Sequence, residues 1–205
     1  MSQINYGLRG ILSNPLFYSL FQSLMGARKA RRNIVDNYIC PFSGMKILDL
    51  GCGPADILAY LPDVQYFGYD LSEYYINQAR KRFGNRGEFY CKQFEFSDLK
   101  DLPLFDMVIA LGLIHHLDDQ VAKCLIRTAF ESLKQGGKLL TIDPCFHSSQ
   151  NYIAKFLIRN DRGQNVRDYA GYEELVKLVC KRPRIEIHHT SWIPYTHCFT
   201  LCHKS

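Results

Sequence analysis

The sequence predicts an α/β fold built around a mostly parallel sheet, and three observations lead there. From Lys46 onward, short apolar strand patterns alternate with helical ones, as βαβ units require. The first strand pattern, Lys46 to Leu50, runs directly into Gly51-Cys52-Gly53. The second, Gln65 to Asp70, ends on a carboxylate nineteen residues after Gly51. A glycine turn between strand and helix lets a ligand approach the backbone and its free N–H groups. An acidic residue ending the next strand is placed to accept hydrogen bonds from a ribose.

Each element follows from local chemistry. Ser13-Asn14-Pro15 predicts a helix start, with a capping side chain ahead of a first-turn proline. That helix is expected to run to about Tyr38, with Leu16, Leu20 and Leu24 on one apolar face beside Phe17 and Phe21. Cys40 to Gly44 closes this arm. Asp56 to Leu61 reads as a helix stub stopped by Pro62, and Ser72 caps a helix to about Phe83. Glu88 to Lys92 is the third strand. Phe105 to Leu111 is a nearly continuous apolar run, expected of a strand covered on both faces. Asp118-Asp119 opens a helix to about Leu133, Gly136-Gly137 is expected to end it, and Lys138 to Ile142 is the fifth strand. Residues 145–170 read as an insertion with a helix near Tyr152 to Ile158. Another helix follows over Tyr172 to Cys180, and two strands over Arg184 to His189 and Tyr195 to His203.

At 205 residues the chain is read as one domain. Its 47% apolar and 22% charged residues describe an ordinary globular protein. The net charge of +5 gathers at Arg28, Lys29, Arg31 and Arg32 and again at Lys181, Arg182 and Arg184. Such clusters suit either a solvated face or an anionic partner. Eight cysteines without a C-x-x-C pair, several inside apolar runs, suggest a reducing, cytoplasmic setting. No secretory leader and no transmembrane run is apparent. His197, Cys198, Cys202 and His203 alternate between the two faces of their strand, so no metal site is expected there.

The glycine turn is compatible with two cofactor classes. A dinucleotide fold wants a third glycine, and Asp56 stands in that place, where a carboxylate would repel a pyrophosphate. A cofactor carrying a cationic sulfonium and an amino-acid tail suits Asp49 and Asp56 better. At this point the sequence resembles a known family. Ile47 to Gly53 resembles the first motif of class I S-adenosylmethionine (SAM)-dependent methyltransferases, and Phe67 to Ser72 their second. Phe105-Asp106-Met107-Val108 through His115-His116-Leu117 resembles their fourth-strand segment, and Leu133 to Gly137 the turn before strand five. The resemblance covers about residues 44–143. It implies a Rossmann-like sheet of seven strands with an antiparallel last strand, helices on both faces, and SAM as cofactor.

Carried onto this chain, the resemblance implies that Gly51, Cys52 and Gly53 line the methionine part of SAM. Asp49 would orient its amino group, Asp70 would hold the ribose, and Leu71 would pack on the adenine. Ala110 and Leu111 would lie beside the methionine moiety. The family often has glycine at Ala55, and an Asp after strand three where this chain has Gln93-Phe94. Gln93 is expected to supply that polar contact and Phe94 a stacking surface.

His115 and His116 fall just past strand four, where ligands bind in open α/β sheets, and are the candidates for taking a proton from the acceptor. The alternative is that one of them merely packs near the Asp118 turn. Asp143, His147 and Arg162 are candidate acceptor contacts. The N-terminal segment 1–43 is expected to form a helical lid and 145–170 a cap over the acceptor. The expected reaction is methyl transfer to an O or N nucleophile of a small molecule. RNA methylation, motivated by the basic clusters, and a non-catalytic partner subunit remain as alternatives.

Overall fold

The computed structural model describes residues 27–160, 163–190 and 195–205. The expected helix start at Ser13 to Pro15 and its leucine face lie outside the described residues, as does Arg162. Helix α1 (Ala27–Ile34) passes into a π-helical turn, Val35–Ile39, which buries Val35, Tyr38 and Ile39. Then follow β1 (Lys46–Leu50), a 3-10 turn (Asp56–Tyr60), β2 (Gln65–Asp70) and α2 (Glu73–Phe83). Next come β3 (Gly87–Cys91), β4 (Phe105–Leu111), a 3-10 turn (Ile114–His116) and α3 (Asp119–Glu131). The remainder is β5 (Leu133–Phe146), α4 (Tyr152–Arg159), the two-residue β6 (Arg167–Asp168), α5 (Tyr169–Lys177), β7 (Arg184–Thr190) and β8 (Tyr195–His203).

The sheet order is β3-β2-β1-β4-β5-β8-β7, with β6 bridging the end of β5. β1 through β5 pair in parallel, and β8 is antiparallel to both β5 and β7. The expected seven strands are therefore all present, and β6 is added to them. Strand order reverses between β1 and β4, the position where open α/β sheets leave a crevice at their carboxyl ends. Side chains alternate along β1. Leu48 and Leu50 join a core with α3 and α5, while Ile47 joins another with α1, the first 3-10 turn and α2. Burial on both faces explains the continuous apolar runs of the central strands.

Helix starts follow their capping residues. Ser72, Asp118, Asn151 and Asp168 each accept a backbone N–H from the turn they open. The glycine pair behaves otherwise than expected. Helix α3 ends at Glu131, where the Ser132 hydroxyl donates to the Ala129 carbonyl, before Gly136-Gly137 is reached. β5 begins at Leu133, pairs once with Phe105, and slips register before Met107 meets Lys138. The glycines make room for this slip, since a Cβ at Gly137 would lie 2.9 Å from the Lys134 carbonyl oxygen and 3.1 Å from that of Phe105.

Two of the three atoms nearest a Cβ at Gly137 are backbone oxygens that cannot rotate away; the third is Leu133 Cδ2 at 3.1 Å. Gly136 has φ +78° but open space around it. Gly137→Ala is therefore expected to cost about 1–3 kcal/mol through overpacking. Gly136→Ala should cost about 1–2 kcal/mol through its left-handed backbone alone. Urea unfolding of the two variants checks the order; an equal or smaller loss for Gly137→Ala contradicts the close-approach explanation.

Candidate functional site

The site begins where β1 ends. The N–H groups of Gly51 and Cys52 both donate to the Tyr69 carbonyl, at 2.8 and 3.0 Å. Holding two successive amides on one carbonyl turns the chain sharply, and Gly51 accordingly has φ +69°. A Cβ there would also press on Leu113, 2.9 Å from its Cδ1. Gly53, at φ +53°, has nothing within 4 Å of where a Cβ would stand, so a ligand can lie against the backbone. Ala55 also sits in the left-handed region at φ 55°, at the position where glycine is common. Its wholly buried methyl offsets part of a conformational cost of about 1–2 kcal/mol.

Asp70 ties this turn to the next helix. One carboxylate oxygen accepts from the Gly53 N–H at 2.9 Å and the other from the Ser72 N–H at 2.8 Å. Each oxygen retains a free lone pair for a ribose hydroxyl. Leu71, beside it, is 50% exposed and presents an open apolar surface. Gln93 is exposed. Phe94 is not available as an open stacking face: it is buried edge-on against Tyr69 at 5.2 Å, in the same core as Phe67 and Ala110.

Asp49 lies within the sheet, 3% exposed, and accepts a hydrogen bond from the Tyr66 hydroxyl. Burial pushes its carboxyl up to about 7; the Tyr66 hydrogen bond opposes this and the Asp70 charge adds to it. Asp56 is placed differently from the reading that set it beside a cofactor. It bridges Arg31 of α1 and Arg82 of α2, so its charge is neutralised and helps hold those helices together. The sequence argument gave it a ligand role because the two arginines, 25 and 26 residues away, carry no local signal.

The second wall comes from the ends of β4 and β5. Ala110 is buried, Leu111 half-buried, and the Gly112 N–H donates to the Ile142 carbonyl at 2.7 Å. His115, 5% exposed, places its backbone N–H and its ring Nδ1 on the same oxygen of Asp143, at 3.1 and 2.9 Å. The other oxygen of Asp143 is buried without a hydrogen-bond partner among the described residues. His116 packs against the His115 ring with centroids 4.0 Å apart and is half-buried. Segment 163–168 closes over this group. The Asn165 N–H donates to the His115 carbonyl, and Arg167 reaches the carbonyls of Ile114 and Leu117 and the carboxylate of Asp119.

The sequence-read site residues thus form two groups. Asp49, Gly51, Cys52, Gly53, Asp70 and Leu71 assemble around the turn; His115, His116 and Asp143 assemble at the rim. His147 turns instead toward the β7 edge, bonded to Ser149 and facing the His189 ring at 5.4 Å. Tyr66 and Ser72 were not singled out for the site. Only Gly68 hinted at Tyr66, because a glycine inside a strand marks close approach. A Cβ there would fall 2.8 Å from Cys52 Sγ.

Two buried acids without a lysine or arginine partner among the described residues, an open glycine backbone and a pre-held Asp70 suit a ribose-bearing ligand with a cationic amino-acid tail. Fold and site together have the form of an α/β domain that takes a nucleoside-bearing ligand at this turn. A family model described as "Methyltransferase domain" matches residues 48–139. The chain is 31% identical over 186 residues to phosphoethanolamine N-methyltransferase 1 of Arabidopsis thaliana, covering 86% of this chain and 36% of that protein. It is 31% identical over 153 residues to the O-methyltransferase cnsE of Penicillium expansum, covering 66% of this chain and 54% of that one. Phosphoethanolamine N-methyltransferase 2 of Haemonchus contortus, solved with SAM, shares the fold at TM-score 0.68 and 17% identity, over 97% of this chain and 60% of that one. The chain therefore spans about a third to a half of the length of these curated relatives. It belongs to the methyltransferase-domain family and has the fold of the SAM-dependent methyltransferases.

Asp70→Ala is expected to weaken SAM binding by about 100-fold or more, since two hydrogen bonds to a charged group contribute about 1.5–3 kcal/mol each. Isothermal titration measures it; undiminished affinity removes Asp70 from the ribose site.

Proposed function

We propose that this chain transfers a methyl group from SAM to an O or N nucleophile of a small-molecule acceptor by in-line displacement. The observation that carries this reading is the His115–Asp143 bond beside His116, at the carboxyl end of the strands and under segment 163–168. Gly51, Gly53, Asp49, Asp70 and Leu71 would hold the cofactor. It supplies an activated methyl bonded to a sulfonium, so alignment of the acceptor can provide much of the acceleration. The protein's further task is to receive the acceptor's proton.

The Nδ1–Asp143 bond fixes the orientation of the His115 ring, and in the neutral tautomer that donates through Nδ1 the proton-accepting nitrogen is Nε2. Asp143 is then a positioning residue for His115 rather than the acceptor contact read from the sequence. His116, the more exposed of the two rings, is the first to meet an acceptor. The relatives include both an N-methyltransferase and an O-methyltransferase, so the nucleophile stays open between N and O. Small acceptors are favoured over RNA because two of the clustered basic residues are engaged within the fold, Arg31 by Asp56 and Arg184 by Glu186. Among the described residues no helix is long and apolar enough to cross a membrane. The cysteines are free thiols, which fits a cytoplasmic setting.

Radiolabelled methyl transfer from SAM into fractionated small-molecule extract tests the activity; no labelled product in any fraction counts against it. With an acceptor in hand, loss of the proton-accepting ring should lower kcat by about 10²–10⁴-fold, while SAM affinity stays within about twofold because neither ring holds the cofactor. Asp143→Asn should lower kcat and shift its pH profile, because an amide can stabilise the wrong ring tautomer. If His115→Ala and His116→Ala both retain kcat within about threefold, proton acceptance by this pair is wrong and alignment alone remains.

A further inference from the structure

We propose that Tyr66 is a positioning residue for the cofactor: its hydroxyl fixes the buried Asp49 carboxyl beside the glycine turn, and SAM binds with release of the proton that this pair holds in the free protein. The proposal rests on SAM being the cofactor and is independent of the acceptor.

The geometry is specific. β1 and β2 run in parallel with Ile47 opposite Tyr66 and Asp49 opposite Gly68. The bare backbone of Gly68 leaves space beside Asp49, and Cys52 Sγ enters it. The Tyr66 ring lies flat in the same core, tilted against Phe89 at 5.9 Å, and its hydroxyl ends on Asp49 Oδ2. That hydroxyl is the one hydrogen bond assigned to the Asp49 side chain among the described residues.

Among the described residues, the charged and titratable groups that act on the pair are acidic or neutral. Asp70 comes from the end of β2 and Cys52 from the glycine turn. Asp56, from the 3-10 turn, acts on Tyr66 and is itself neutralised by Arg31 and Arg82. A carboxylate removed from water needs a compensating charge or several hydrogen bonds; with one hydroxyl it stays neutral instead. Burial accordingly pushes Asp49 up to about 7, against the lowering effect of the Tyr66 bond, with the Asp70 charge adding. Burial pushes the Tyr66 hydroxyl well above its ordinary range, so the proton the pair gives up comes from Asp49.

The ligand brings what the site lacks. Its α-ammonium and sulfonium are both cationic at pH 6, since an α-amino group titrates near 8. A cation arriving beside Asp49 favours the carboxylate, and the displaced proton leaves to solvent. The site then binds only in its deprotonated fraction, so the apparent Kd rises as that fraction falls.

Isothermal titration of SAM at pH 6, in buffers of different ionisation enthalpy, counts the protons. The expected result is close to one proton released per SAM, with affinity falling roughly tenfold between pH 6 and pH 5. Asp49→Asn should release none and show a flat affinity over that interval. Tyr66→Phe keeps the ring and removes the donor. The carboxyl then holds its proton more tightly, and the midpoint of the affinity-against-pH curve moves up by about one unit. A wild-type release near zero at pH 6 overturns the proposal. So does Asp49→Asn releasing as many protons as wild type, a reading that holds even where Tyr66→Phe fails to fold. A folded Tyr66→Phe with the wild-type midpoint assigns Tyr66 a packing role only and overturns its part.

Discussion

The site depends on one carbonyl. Tyr69, one residue before the end of β2, accepts both the Gly51 and Cys52 amides, so β1 cannot continue straight and the chain must fold back over its neighbour. That single constraint demands a left-handed residue at once, which Gly51 supplies, and others at Gly53 and Ala55 before the 3-10 turn can start. It also brings the Gly53 amide within reach of Asp70, which fastens the far side of the turn to the start of α2. The cofactor cradle is thus a by-product of parallel pairing in register, Leu50 against Tyr69, and not a separate loop laid on the sheet. Ala55 shows how firmly the turn is imposed: a residue with a side chain is held where glycine would be easier, and it stays because its methyl is buried with Ile57 and Leu58.

The distribution of charge separates structure from chemistry. Acids that hold the fold carry basic partners: Asp56 with Arg31 and Arg82, Asp106 with Lys134, Asp98 with Lys92, Glu186 with Arg184. The acids at the carboxyl end of the sheet have none among the described residues. Asp49 has a tyrosine hydroxyl, Asp70 two backbone amides, Asp143 a histidine ring and backbone. Each of these partners leaves the carboxylate with charge or lone pairs still to satisfy, and a buried acid in that condition is costly unless a ligand completes it. A cationic, hydroxyl-bearing cofactor completes the first two. The second oxygen of Asp143 is the demand that remains among the described residues.

The strands and the cofactor turn were legible because their signals are local. Period, glycine and a terminal carboxylate lie within a few residues of one another, and the order β1 to β5 follows from alternation with helices. What was not legible depended on distance along the chain. Nothing near Asp56 announces Arg31, nothing near Asp49 announces a tyrosine seventeen residues on, and nothing near His115 announces Asp143, twenty-eight residues away. Phe94 illustrates the opposite error. An aromatic after strand three was read as a ligand surface, yet burying its ring against Tyr69 removes more apolar area from water than an open ligand face would, and the core claims it. The glycine pair at Gly136-Gly137 failed for a related reason: glycine signals either a helix end or a close approach, and only the carbonyls of Phe105 and Lys134 decide which.

Under the proposed function the acceptor side is bounded by the insertion, and the attachment of that segment explains why the wall is defined. Arg167 distributes its guanidinium over the carbonyls of Ile114, Leu117 and Asn165 and over the Asp119 carboxylate, spanning the turn that bears both histidines and the first turn of α3. The Ile114 carbonyl already accepts the Leu117 N–H of the 3-10 turn, so the arginine adds a second donor there and supplies one to the Leu117 and Asn165 carbonyls. Gly163 then lies directly on the His115 ring, where a Cβ would fall 1.9 Å from Cδ2. Cap and histidines are in this way one unit. Displacing the segment uncovers the rings and frees the carbonyls together, and any acceptor that enters must do so against an edge whose position is fixed by Arg167 rather than by the cofactor turn. On the proposed function, selectivity for the acceptor would belong to this C-terminal half, and cofactor binding to the half before β4.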